Sequence, residues 1–196
     1  MSILIAYKKG DAIYMATDTR VIVDEEKRNE LCECNYKIQK LDNGMLVGIT
    51  GQRMERQTIF ANSHIFTLDK NNSLTRKHIV KEIIPALLSV LDRESLLREC
   101  EDETPYMKAI IMLAHKDVVY EICSSFSIVR YEDFQALGRA SESAQAVLVN
   151  TKESDDINER LIRALDVVAN NSPLVGRPYL LIDTKDQEYK IIRRND

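Results

Sequence analysis

Ser2 is the residue whose type and position most directly suggest chemistry. Removal of Met1, favoured when the next side chain is as small as serine, leaves one residue carrying both a hydroxyl and a free α-amine. Such an amine titrates at roughly 7.7–8. It can take the hydroxyl proton as the oxygen attacks a carbonyl, and no histidine is then required. The expectation is a chain end that is nucleophile and base at once. A retained Met1 blocks the amine and removes this reading.

A chain end does this only if it is held still. Ile3 to Tyr7 is an apolar run, Gly10-Asp11 supplies turn chemistry, and Ala12 to Ala16 is a second run. Residues 2–20 therefore predict two strands folded back on each other, with Ser2 at the open end. Period-two alternation puts Asp18 and Arg20 on one side of the second strand. Tyr36 to Leu41, a turn at Asp42-Asn43-Gly44 and Met45 to Gly51 predict a further strand pair. Lys37, between Tyr36 and Ile38 in a strand bound for the core, needs a charge partner, and Asp18 is the obvious one. A charged lysine beside the α-amine would keep that amine neutral. Gly51 falls where the strand gives way to a helical period. Its amide and the positive end of the helix dipole would there face a developing oxyanion.

In order and spacing these residues resemble the N-terminal half of proteasome β subunits and of HslV, both N-terminal-nucleophile hydrolases. Ser2 falls on the family's N-terminal threonine, a position where serine is chemically equivalent. Asp18 and Arg20 fall on its acidic and frequently basic positions, Lys37 in Lys-Ile-Gln-Lys-Leu on its catalytic lysine, and Gly51 in Gly-Ile-Thr-Gly on its oxyanion-hole glycine. Ala136-Leu137-Gly138-Arg139-Ala140 looks like the family's Ala-Ile-Gly-Ser-Gly, and Ala164-Leu165-Asp166 like the opening of its last helix. The resemblance implies a peptidase, with peptide or protein substrates, built as a homo-oligomeric ring with an ATPase unfoldase partner. It also implies a serine where this chain has Arg139 and an aspartate where it has Asn170. Those departures raise the rival expectation of a catalytically inactive ring or scaffold subunit with the same fold.

Other chemistry is poorly supported. His64, His78 and His115 are the only imidazoles and fall in different elements, and Ser124-Ser125 lacks a glycine elbow. Cys32-Glu33-Cys34 has no second Cys/His pair at ligand spacing, so no metal and no cofactor is expected. Net charge is −4 and spread without blocks, which argues against a nucleic-acid partner. No apolar run of about 18 residues predicts a membrane span. Ile3 to Tyr7 is too short for a signal peptide and is followed by lysines rather than preceded by them. A cytosolic location with reduced cysteines is expected.

With 196 residues, 44% of them hydrophobic, the chain is expected to form one domain, 1–196, with a sizeable core. Val21 to Asn35 reads as a loop or exposed hairpin at the rim of the site, where it could select substrates. Met54, Thr58, Ala61, Ile65 and Leu68 predict a helix from Gln52 to near Asp69. A second helix opens near Ser73 or Thr75 and carries Ile79, Ile83, Leu87 and Leu91, with Pro85 bending it. Arg98 to Pro105 reads as a loop. Met107 to Ala114, Val118 to Cys123, Phe126 to Tyr131 and Phe134 to Leu137 predict successive antiparallel strands. Helices from Ala140 to Asn150 and from Asp156 follow, then a closing hairpin of Arg177 to Thr184 and Glu188 to Arg193. The order suggests two antiparallel sheets between two helical layers. The stacking itself, a four-layer αββα sandwich of the α+β class, is what the resemblance implies.

Overall fold

The computed structural model describes residues 2–23, 26–29, 31–100, 104–151 and 156–193. Met1 lies outside them, as do acidic residues 24–25 and 101–103 of the stretches expected as loops. Strands β1 (Ile3–Lys9) and β2 (Ala12–Asp18) form the expected hairpin, with Leu4 opposite Thr17. β3 (Arg20–Val23) and β4 (Glu26–Asn29) form the rim hairpin, and β5 (Ile38–Lys40) and β6 (Leu46–Thr50) lead to helix α1 (Arg53–Ala61). α2 (Arg76–His78), a π-helical segment Ile79–Ile83 and α3 (Ile84–Arg93) make one continuous rod. A two-residue pairing of β7 (Arg98–Glu99) with β8 (Pro105–Tyr106) replaces the expected loop. There follow β9 (Ile110–His115), β10 (Val118–Ile122), β11 (Ile128–Tyr131), β12 (Phe134–Gly138), α4 (Ser141–Asn150), α5 (Ile157–Asn171), β13 (Tyr179–Asp183) and β14 (Lys190–Ile192).

Two five-stranded antiparallel sheets result, ordered β12-β1-β2-β13-β14 and β11-β10-β9-β6-β5. Period two explains how the all-apolar β1 serves both neighbours. Ile3 and Ile5 face α4 and α5, packing with Leu148, Leu161, Leu165 and Val168. Leu4 and Ala6 face the other sheet, packing with Leu46, Met112 and Ala114. Val47, Ile49, Ile111 and Leu113 turn outward to Ile59, Ile79, Ile83 and Leu87 on the remaining helices. The layers are helix, sheet, sheet, helix, as the resemblance implies.

Three further expectations are corrected. α1 stops at Ala61, not near Asp69. The Asn62 side chain bonds back to the Thr58 carbonyl, and a 3₁₀ turn at Ser63–Ile65 keeps Ile65 buried without helix. β12 does not follow β11 in one sheet: it crosses to the other and pairs with β1, Ile3 opposite Gly138. Ala164-Leu165-Asp166 lies inside α5, which opens at Asp156. That side chain accepts from the amides of Asn158 and Glu159 and so caps the helix. Pro85, expected to bend its helix, is the second residue of α3, just past the π segment whose wider turn accommodates the ring and the missing N–H.

The sheets meet closely at Gly48. A Cβ there would lie 2.7 Å from the Met15 methyl and 2.8 Å from Leu4. Gly48→Ala is expected to lower stability by about 1–3 kcal/mol through overpacking, read as a lower midpoint in thermal or denaturant unfolding.

Candidate active site

Ser2 immediately precedes β1 and is 3% exposed. Its carbonyl accepts from the Arg139 amide at 2.8 Å and from Thr50 Oγ1 at 3.3 Å. The next residue is held from the other side: the Ile3 carbonyl accepts from Thr17 Oγ1 at 2.6 Å, and the Ile3 amide donates to Asp18 Oδ1 at 3.3 Å. The start of the chain is thus pinned between β12 and β2, where chain ends ordinarily fray.

Asp18 is fully buried and its carboxylate gathers three donors. Oδ1 accepts from Lys37 Nζ at 2.8 Å as well as from Ile3, and Oδ2 accepts from the Arg20 amide at 3.2 Å. Lys37, 2% exposed, also donates to the Arg20 carbonyl at 2.7 Å. The ladder continues past β5 to set its backbone, with the Ile49 amide donating to the Lys37 carbonyl. A buried ion pair survives only when its remaining valences are met, and here the main chain of residues 3 and 20 meets them. Arg20 therefore supports Asp18 through its backbone. Its guanidinium points elsewhere, to the carbonyls of Pro173 and Val175 at 3.1 and 3.0 Å.

Gly51 joins β6 to α1 at φ +125°, a conformation that favours glycine. Lys108 and Ala109 pack directly against it. The Lys108 amide in turn donates to Oε1 of Glu55, which is fully buried in the first turn of α1. Ser2 and Gly51 together line two adjoining depressions. One of about 380 Å³ adds Thr50, Ile110, Gly138 and Arg139; the other, of about 440 Å³, adds Arg20, Val21, Ile22, Arg53 and Arg56; Lys108 borders both. Ser2, Asp18, Arg20, Lys37 and Gly51 are thus gathered in one place, 49 residues apart at their extremes in sequence. The rim hairpin reaches the site through Val21 and Ile22.

Three participants escaped the sequence reading. Gly138 has φ +99°, and a Cβ there would overlap the Ser2 carbonyl oxygen. Thr17 and Thr50 supply the hydroxyls that fix the first two residues. The only signal was a glycine ending an apolar strand, a threonine ending another and a threonine one residue before the end of a third. Arg139 borders the site, whereas Asn170 is exposed on the last turn of α5. Beneath the site Tyr179, opposite Asp18 in the ladder, donates to Asp166, which also holds Arg177 through two bonds of 2.7 and 3.0 Å. Burial first, and the Asp166 bond second, push the tyrosine well above its ordinary range, so it remains a neutral donor tying β13 to α5.

No protein-family model matches the sequence, and no curated protein does. Solved structures do match. A structure of BPH from Thiobacillus denitrificans is 18% identical, with a TM-score of 0.73 over 92% of this chain and 96% of that one; the same protein solved with epoxomicin is 17% identical. A Gly-1 mutant of Anbu from Hyphomicrobium sp. strain MC1 is 12% identical, with a TM-score of 0.74 over 100% and 89%. HslV from Trypanosoma brucei is 12% identical, with a TM-score of 0.62 over 92% and 98%. At such identities the likeness is one of fold. The fold is that of the proteasome-like and HslV-like N-terminal-nucleophile hydrolases, as the first hairpin led us to expect.

Proposed function

We propose that this protein is an N-terminal-nucleophile peptidase that works after losing Met1. The observation that carries the reading is the buried Lys37–Asp18 pair tied to the amide of Ile3, next to a Ser2 that borders two depressions together with Gly51. Ser2 Oγ attacks the peptide carbonyl and its own α-amine takes the proton. Lys37, fixed by Asp18, keeps that amine neutral between turnovers, and the main chain of Arg20 holds Asp18. The Gly51 amide faces the tetrahedral oxyanion. The proton passes to the departing amine, and water then hydrolyses the acyl ester on Ser2. Assembly into a homo-oligomeric ring, an ATPase partner and a cytosolic location complete this reading on kinship of fold alone. All of chain 1–196 is taken as one domain.

Arg139 favours a second reading, a ring or scaffold subunit without activity. It stands where the resemblance implies a serine, and its amide is engaged by the Ser2 carbonyl. One experiment decides between the two. Intact-mass measurement of the purified protein is expected to show the chain without Met1. Incubation with epoxomicin, the ligand of the Thiobacillus protein, is expected to add its mass to wild type and not to Ser2→Ala. A full-length chain that takes up no epoxomicin supports the scaffold.

A further inference from the structure

We propose that Glu55 is a positioning residue that holds the main chain packed behind Gly51, a role that rests on reading Ser2 as the nucleophile and the Gly51 amide as the oxyanion donor. The β6–β9 ladder ends with Thr50 opposite Ile110. Continued, it would set Gly51 opposite Ala109 and Gln52 opposite Lys108. The Ile49 amide turns toward β5, to the Lys37 carbonyl, so by alternation Thr50 and then Gln52 turn toward β9. The Gln52 carbonyl would thus take the Lys108 amide, but it has already entered α1, where it accepts from the Arg56 amide at 3.1 Å. Glu55 replaces it. Its Oε1, in the first turn of the same helix, accepts from the Lys108 amide at 3.2 Å.

That bond bears on Gly51 because the same stretch of main chain lies against it. A Cβ at Gly51 would stand 2.5 Å from the Lys108 carbonyl oxygen and 2.8 Å from the Ala109 Cα, so the turn at φ +125° and residues 108–109 are in direct contact. Upstream, the Met107 amide is fixed on the Ser124 carbonyl at 3.0 Å. Glu55 therefore holds the segment that limits how far the Gly51 peptide can turn. The arrangement has a cost. Glu55 is fully buried, and although the positive end of α1 favours its charge, Oε2 has no hydrogen-bond partner among the described residues. A buried polar atom left unpaired lowers stability. An apolar side chain would remove that cost and release Lys108, so the carboxylate serves the turn at Gly51 more than it serves the fold.

Two variants test this: Glu55→Gln keeps an oxygen for the Lys108 amide, and Glu55→Met removes it at similar side-chain length. The processed protein and both variants are assayed with one internally quenched peptide, the fastest cleaved by wild type from a pool randomised on both sides of the scissile bond. Glu55→Met is expected to lower kcat about 10–100-fold, the usual effect of losing a partner that orients a site residue, with KM within about threefold. Glu55→Gln is expected to stay within about threefold of wild type in both. Deuterium exchange read by mass spectrometry needs no turnover. Glu55→Met should speed exchange in peptides covering 105–110 and leave β10 as in wild type, while Glu55→Gln changes neither. Wild-type kcat in a folded Glu55→Met protein, or a Glu55→Gln protein that falls as far as Glu55→Met, overturns the role. If wild type cleaves no peptide of the pool, the nucleophile reading falls by itself and exchange decides the rest: faster exchange at 105–110 in Glu55→Met alone keeps Glu55 as the tie behind Gly51, and unchanged exchange removes it.

Discussion

Lys37→Ala is expected to lower peptide turnover by about 10²–10⁴-fold, the range contributed by a positioned proton-transfer group, and to destabilise the fold at the same time. The two effects share one cause. Lys37 is the ion-pair partner of Asp18, both are almost completely shielded from water, and the same carboxylate oxygen also receives the amide next to Ser2. Without the ammonium, Asp18 remains as a buried charge short of its counter-ion, at a cost of about 3–5 kcal/mol. Asp18→Asn combined with Lys37→Met separates the effects. Removing both charges together should restore much of the unfolding midpoint, while turnover stays at the level of the single variant because no ammonium remains to tune the amine. Turnover and unfolding measured on the wild type and these two variants check this. Wild-type turnover in a folded Lys37→Ala protein would take the lysine out of the mechanism.

The same cluster shows how much of the site was legible in the sequence. A lysine inside an apolar strand is a statement of unmet charge, and the aspartate ending the first hairpin was its evident complement; the 2.8 Å contact answers it. Alternation likewise carried the two-faced core of β1, since an uninterrupted apolar run requires a partner on each side. What escaped detection was decided by pairing alone. Glu132-Asp133 has the composition of a tight turn whether the following strand folds back on its predecessor or moves to the other sheet. Only contacts such as the Lys8 amide on the Asp133 carbonyl, and Tyr7 opposite Phe134, select the second. The end of α1 failed for a related reason. Ile65 and Leu68 keep the helical spacing, yet a 3₁₀ turn and extended chain place them against the same core cluster. Arg20 supports Asp18 and Lys37 through its amide and carbonyl, contacts that no reading of residue types can specify.

Main-chain geometry also governs Gly51→Ala, for which a loss of about 10²–10³ in kcat is expected, the usual effect of removing one oxyanion donor. At φ +125° an alanine is strained, and its Cβ would stand 2.5 Å from the Lys108 carbonyl oxygen and 2.8 Å from the Ala109 Cα. Both neighbours are backbone atoms, so no rotamer change relieves the clash, and the peptide that carries the Gly51 amide has to turn or move. Substrate binding along the Arg20 side of the cavity does not depend on that amide, so KM should change much less than kcat. Gly10→Ala supplies the comparison. Gly10 has φ +62° in the first hairpin's turn, with nothing within 4 Å of a new Cβ. It should lose about 1–2 kcal/mol of stability and keep its kcat. If Gly51→Ala instead keeps the wild-type kcat while losing stability like Gly10→Ala, the glycine is a packing requirement, and the oxyanion must be met by a group other than its amide.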